Sequence, residues 1–279
     1  MIEIAAVAGV ATVQDGGRPG HMHEGVPPGG ALVPELLARA NAAVHNAHGE
    51  AAIEVVGRLR VVARAPVWVG ADDGTARWLR DGEGWTLEPG PTRVRYLAVR
   101  GGIDVPPVLG GRGTLLVAGF GGCDGRPLRG GDWLPVGNTP ASDAPAPPCP
   151  AADAPIRVVP GPDLDRFEPA ALQRLLGAYY AIGARSDRVG IRLAGPAVAR
   201  IGPDTGRSAP MVRGAIQVPP DGQPIVLGPD HPTTGGYPVL ATVVRADGGA
   251  LAARPVGAPV RFVRFETSHR PSRRPARTR

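Results

Sequence analysis

Glycine and proline interrupt this chain so often that few windows remain in which a long helix could run: 41 of the 279 residues are Gly and 33 are Pro. Glycine loses the most conformational freedom in an element interior and proline removes a backbone donor, so both mark turns. Between them lie short aliphatic and β-branched runs at 53–56, 59–63, 67–69, 76–79, 86–87, 94–99, 115–117 and 133–136. That spacing predicts a mainly β fold with a few short helices. With aromatic residues at only 4%, the core must be built from Val, Leu, Ile and Ala.

Helical periodicity occurs over 31–47, where Leu32, Leu36, Leu37, Ala40 and Val44 form one stripe. Glu35 and Arg39 would pair in solvent on its other side, with His45 and His48 capping its end. A second helix is predicted over 163–176, with Pro169 placed to split it. Residues 138–155, NTPASDAPAPPCPAADAP, read as an extended, solvated linker between units at 1–137 and 156–267. Residues 268–279 contain arginines and no acid, the composition of a disordered tail. The halves share a faint self-similarity in their β-run order, which makes a cleft between them the natural ligand site.

Several function classes are excluded. The net charge of +6 falls to +1 without the five tail arginines, and the body shows no interleaving of basic and aromatic residues, so no nucleic-acid partner is expected. Every basic residue is arginine, which removes lysine Schiff bases and a P-loop lysine from consideration. Cys123 and Cys149 are too few for a disulfide framework and read as free thiols. His21 and His23 share a strand face without a third ligand, so no metal centre is expected. No stretch reaches membrane-spanning length and the N-terminus lacks a secretory pattern, which predicts a cytoplasmic protein with no membrane partner.

Chemistry concentrates in 214–238, GAIQVPPDGQPIVLGPDHPTTGGYP. Two β-type runs flank the turn Pro219-Pro220-Asp221-Gly222 as a hairpin, and the loop after them carries an acid, a histidine, two hydroxyls and a phenol. A second polar turn, QDGGRPG at 14–20, sets a carboxylate and a guanidinium three residues apart. They suit anion binding or proton-acceptor orientation, and equally a pair with each other.

In order, TVQDGGRPG, GVPPGGAL, AIEV, YLAVRGGIDVPPVLG, GRPLRGGD, SDRVGIRLAGP, GAIQVPPDGQPIVL and TTGGYP resemble the biotin-dependent carboxyltransferase family. That family includes the C-type component of 5-oxoprolinase and allophanate-hydrolase-subunit-2-like proteins. The resemblance runs from about residue 10 to residue 265. It implies two cyclophilin-like β-barrel units, a partner resembling the B-type component of 5-oxoprolinase, and a hetero-oligomer. It further implies an ATP-dependent hydrolase reaction opening the 5-oxoproline lactam to glutamate, with ATP at the partner interface. Carboxyl transfer from biotin to a urea-like acceptor, and a non-catalytic regulatory role, are its alternatives.

A substrate bearing a carboxylate and an amide needs cations for one and donors or proton acceptors for the other. Arg18 and Arg188 are the candidates for anion recognition. Asp15, Asp187 and Asp230 are the candidate proton-transfer groups. Gln217, Gln223 and Tyr237 would donate, the N–H groups of Gly235 and Gly236 would hold an oxyanion, and Thr233 and Thr234 complete the substrate-binding set. The family pattern is broken at Gly29, Val33, Gly111, Gly113, Pro232 and the Ser208-Ala209-Pro210 stretch, where other residues are usual. These departures bear on which substrate is used.

Overall fold

The first apolar run forms β1 (Ile2–Gln14), which pairs antiparallel with β2 (Ala52–Ala63) along nearly its whole length. Gly9 faces Gly57 in this ribbon with φ of 121° and 112°. A Cβ at Gly9 would lie 2.1 Å from the Val56 carbonyl oxygen, so no larger residue fits there. The computed structural model describes residues 1–202 and 208–266. The arginine-rich tail predicted over 268–279 lies outside the described residues.

In the N-terminal unit, β3 (Val67–Ala71), β4 (Ala76–Leu79), β5 (Gly84–Leu87), β6 (Arg95–Val99) and β7 (Trp133–Leu134) complete one curled sheet in the order β4-β3-β6-β2-β1-β7, with β5 also paired to β2. Ile4, Val13, Ile53, Val55, Leu97 and Val99 fill its concave side. β6 is buried on both faces, because strand alternation turns Leu97 and Val99 into that core and Tyr96 and Ala98 the other way.

The face carrying Tyr96 receives α1 (Pro34–Ala43). The helix is shorter than the periodicity predicted because Pro34 excludes Val33 from helical backbone, leaving it extended at φ −124° and ψ 90°. The predicted Glu35–Arg39 pair does not form: Arg39 donates to the carbonyls of Asp72 and Pro147. His48 Nε2 lies 3.1 Å from the Pro145 carbonyl oxygen rather than capping the helix. Residues 138–155 contain neither helix nor strand, and these bonds strap them along α1. The strand predicted at 115–117 is instead a turn, closed by Gly119 N–H on the Leu115 carbonyl.

The C-terminal unit comprises β8 (Ile156–Pro160), α2 (Ala171–Gly177), β9 (Tyr179–Ile182), β10 (Gly190–Ala194), β11 (Ala209–Pro210), β12 (Ala215–Gln217), β13 (Ile225–Leu227), β14 (Thr234–Gly235), β15 (Val239–Val243), α3 (Gly248–Ala252) and β16 (Pro259–Arg264). Seven of these strands close into a barrel, β10-β13-β12-β15-β8-β16-β9, while β11 and β14 pair apart from it. The predicted hairpin is present, with Ile216 opposite Val226. Pro169 separates a short 3-10 turn (Leu164–Arg166) from α2, as its position predicted. Leu36 and Leu37 of α1 share one core with Tyr180, Ile216, Leu240 and Phe262 of the barrel unit. The two units therefore meet along a continuous apolar seam, closed at one end by charged groups.

Candidate functional site at the seam

Arg188, between β9 and β10, reaches across the seam. Its Nε and Nη2 donate to Asp230 Oδ2 and Oδ1 at 2.8 and 2.9 Å, its Nη1 to Glu54 Oε1 at 2.7 Å, and its Nη2 also to the Gly30 carbonyl at 2.7 Å. Glu54 and Tyr96 stand directly opposite in the β2–β6 register. The Tyr96 hydroxyl donates to Glu54 Oε2 at 2.5 Å and accepts from Val33 N–H at 3.0 Å, while Leu32 N–H donates to the same Glu54 oxygen at 2.8 Å. Burial raises the Tyr96 phenol well above its ordinary value and the Glu54 charge adds to this, so the hydroxyl keeps its proton. Burial alone would lower the Arg188 pKa, but Glu54 and Asp230 outweigh it and hold it above the ordinary value. Asp230 is pushed up by burial despite the opposing pull of Arg188, and the Glu54 carboxylate pushes in the same direction.

Arg18 approaches from the other side. The QDGGR turn is held by Asp15, whose Oδ1 accepts from Gly17 N–H at 2.8 Å and whose Oδ2 accepts from Arg112 N–H at 2.5 Å. Asp15 and Arg18 thus use different partners rather than a salt bridge. Arg18 is only 1% exposed and stacks over Phe120 at 5.0 Å. Its Nε donates to the Val108 carbonyl at 3.2 Å and its Nη2 to the Gly113 carbonyl. Nη1 makes no hydrogen bond to the described residues. A Cβ on Gly29 would lie 3.3 Å from that Nη1 and 3.9 Å from Asp230 Oδ1, so Gly29 packs closely against both groups. Burial is the main influence lowering the Arg18 pKa, but an arginine remains charged.

The seam brings together Asp15, Arg18, Arg188 and Asp230 among the residues singled out by sequence. Asp187 lies outside it: the exposed carboxylate accepts from Val189 and Gly190 N–H at 2.9 and 3.0 Å, holding its own turn. Gln223 is also elsewhere, its amide exchanging two hydrogen bonds with the Gly195 backbone. Gln217 is buried beside the loop, with Nε2 3.2 Å from the Tyr237 carbonyl. Thr233, Thr234, Gly235, Gly236 and Tyr237 form the adjoining rim, where β14 pairs with β11 and Tyr237 is 39% exposed.

Sequence reasoning missed Glu54, Tyr96, Arg213 and His231 as members of this cluster. A lone acid inside the apolar run AAIEVV was the available signal for Glu54, since such a charge needs a partner. Arg213 donates to the carbonyls of Ala31 and Leu32 at 3.2 and 2.8 Å. His231 is 1% exposed and donates from Nδ1 to the Pro232 carbonyl at 2.8 Å, while its buried Nε2 has no hydrogen-bond partner among the described residues. Burial lowers its pKa and keeps the ring neutral at pH 7. Among the described residues no cluster of three or more His, Cys, Asp or Glu could hold a metal, and no helix is long and apolar enough to cross a membrane. Surface depressions of about 320 and 250 Å³ lie beside His45 and beside Asp221, neither bordering Arg18 or Asp230.

Arginines and carboxylates thus oppose one another at a seam between a curled sheet and a closed barrel. Residues 24–264 match the model of the carboxyltransferase domain, subdomain A and B, and the chain belongs to this family. It is 37% identical to the C-type component of 5-oxoprolinase from Escherichia coli (strain K12), covering 94% of this chain and 91% of that one. For the same component from Haemophilus influenzae the values are 33%, 94% and 90%. The urea amidolyase of Lachancea kluyveri is 27% identical over 94% of this chain but only 17% of its own length. A crystal structure of TTHA0988 superposes with a TM-score of 0.80 at 28% identity, covering 94% of this chain and 56% of that one. The K. lactis urea amidolyase structure gives 0.79 at 25% identity over 95% of this chain and 19% of its own. The chain thus spans about half of one solved relative and a fifth of the other.

Proposed function

We propose that this chain is the C-type component of an ATP-dependent 5-oxoprolinase and works with a partner resembling the B-type component. One observation carries the reading: the chain matches both 5-oxoprolinase relatives over nine-tenths of their length, whereas it matches only one segment of the much longer amidolyase. In the reaction proposed, water oxygen adds to the lactam carbonyl carbon, the ring C–N bond breaks, and the ring nitrogen leaves with a proton to give glutamate.

The substrate carboxylate is assigned to Arg18, because its Nη1 makes no hydrogen bond within the described residues whereas Arg188 is committed to two carboxylates and a carbonyl. Asp230, which lies against Gly29 as Arg18 does, is the proton acceptor. Asp15 holds the turn that presents Arg18, and Thr233 to Tyr237 form the rim facing the partner. At the entrance to α1, Leu32 and Val33 N–H already donate to Glu54 and Tyr96 and so offer phosphate oxygens no free donors, which favours a site shared with the partner. ATP is therefore assigned to the partner interface, and biotin belongs only to carboxyl transfer.

The test is glutamate release from 5-oxoproline and ATP by this chain alone and by the chain assembled with its partners. Turnover confined to the assembled complex is expected. An assembled complex that leaves 5-oxoproline intact but carboxylates urea from carboxybiotin would replace this reading with carboxyl transfer.

A further inference from the structure

Asp230 sits at the end of a chain of buried hydrogen bonds that begins in the other unit. Tyr96 donates to Glu54, Glu54 accepts from Arg188, and Arg188 holds both Asp230 oxygens. The backbone reinforces the geometry: Asp230 N–H donates to the Arg188 carbonyl at 3.1 Å, and Gly29 N–H to the Pro229 carbonyl at 3.1 Å. Glu54 and Asp230 are 4% exposed each and Tyr96 is 0% exposed, so water cannot substitute for any of these partners. The charged groups facing this chain are Arg18, Arg188 and Arg213 against Asp15, Glu54 and Asp230, with Arg93 and Glu35 behind.

We propose that Tyr96 and Glu54 are positioning residues that act through Arg188 to fix the orientation and ionisation of Asp230 beside Arg18. They touch no substrate. Glu54 anchors Arg188 from the curled sheet, so the barrel-borne Asp230 keeps its place only when the two units are in register. Tyr96 supplies the hydrogen bond that partly neutralises Glu54. This inference rests on the proposed role of Asp230, and its physical core is open to measurement without turnover.

The test is carboxyl ¹³C NMR titration of Asp230 in the full chain, assigned by loss of its signal in Asp230→Asn. Tyr96→Phe leaves Glu54 less compensated, and a stronger like charge moves the Asp230 midpoint upward. Glu54→Gln removes that charge and moves the midpoint the opposite way. Each variant also touches one backbone donor, Leu32 N–H for Glu54→Gln and Val33 N–H for Tyr96→Phe, so the opposed directions of the two shifts are the decisive result. In the assembled enzyme the acidic limb of kcat follows the same two directions while KM for 5-oxoproline stays within twofold. Unchanged Asp230 midpoints in folded Tyr96→Phe protein overturn the inference. Opposed NMR shifts in a complex without 5-oxoproline turnover keep the relay and sink the oxoprolinase reading instead.

Discussion

Arg188→Ala is the sharpest perturbation of the seam. It removes four hydrogen bonds at once and leaves Glu54 and Asp230 as two buried carboxylates without their shared cation. Removing one partner from a buried ion pair costs about 3–5 kcal/mol, because the remaining charge stays desolvated. For a protein of this size that corresponds to a drop of roughly 6–20 °C in Tm. The loss is also pH-dependent. Burial already raises the Asp230 pKa and the variant removes the arginine that opposes it, so the native state binds more protons than the unfolded state and regains stability as pH falls from 7 toward 5. Urea denaturation and thermal melts at several pH values measure this directly. The triple replacement Glu54→Gln, Arg188→Met, Asp230→Asn, which buries no net charge, is expected to recover most of the loss. An Arg188→Ala penalty below about 1 kcal/mol, or one equal at pH 5 and pH 8, would refute the reasoning.

Three further outcomes follow from the fold. Gly9→Val imposes a backbone conformation costing about 1–3 kcal/mol and drives a Cβ into the Val56 carbonyl, so the melt falls while distant seam variants remain additive with it. The Arg157 hydrogen bond lowers the Asp247 pKa, so that group's stability contribution is present above its unfolded value of about 3.9 and is lost as pH falls through the folded value. Asp247→Asn should remove that part of the acid slope in urea titrations. Burial lowers the His231 pKa, so the native state binds fewer protons and stability declines as pH drops below the unfolded value of about 6.5. His231→Gln should flatten the stability profile below that value.

The mainly β class, the hairpin at 215–227 and the break at Pro169 were legible because they depend on local rules: turn residues, apolar runs and the missing proline N–H. The length of α1 was not read correctly, since Ala31, Leu32 and Val33 fit the helical stripe while Pro34 decides where helical backbone can begin. The open curl of the N-terminal sheet, against the closed barrel of the other unit, is set by strand pairings distant in sequence. The candidate site divides in the same way. Asp15, Arg18 and Asp230 stand in conspicuous polar turns, whereas Glu54 and Tyr96 lie inside strands and meet only through the β2–β6 register. The sequence places Asp187 and Arg188 side by side, but the Asp187 oxygen closes a turn while Arg188 points into the seam, a divergence that adjacency in sequence does not reveal.

The most direct test of the account is the dependence of glutamate release on 5-oxoproline concentration for wild-type and Arg18→Met chains assembled with the same partners and ATP. Loss of a charge-assisted carboxylate contact worth about 1.5–3 kcal/mol predicts a KM raised by roughly 10- to 150-fold in a complex that still assembles. An unchanged KM in that intact complex would contradict the assignment of the substrate carboxylate to Arg18.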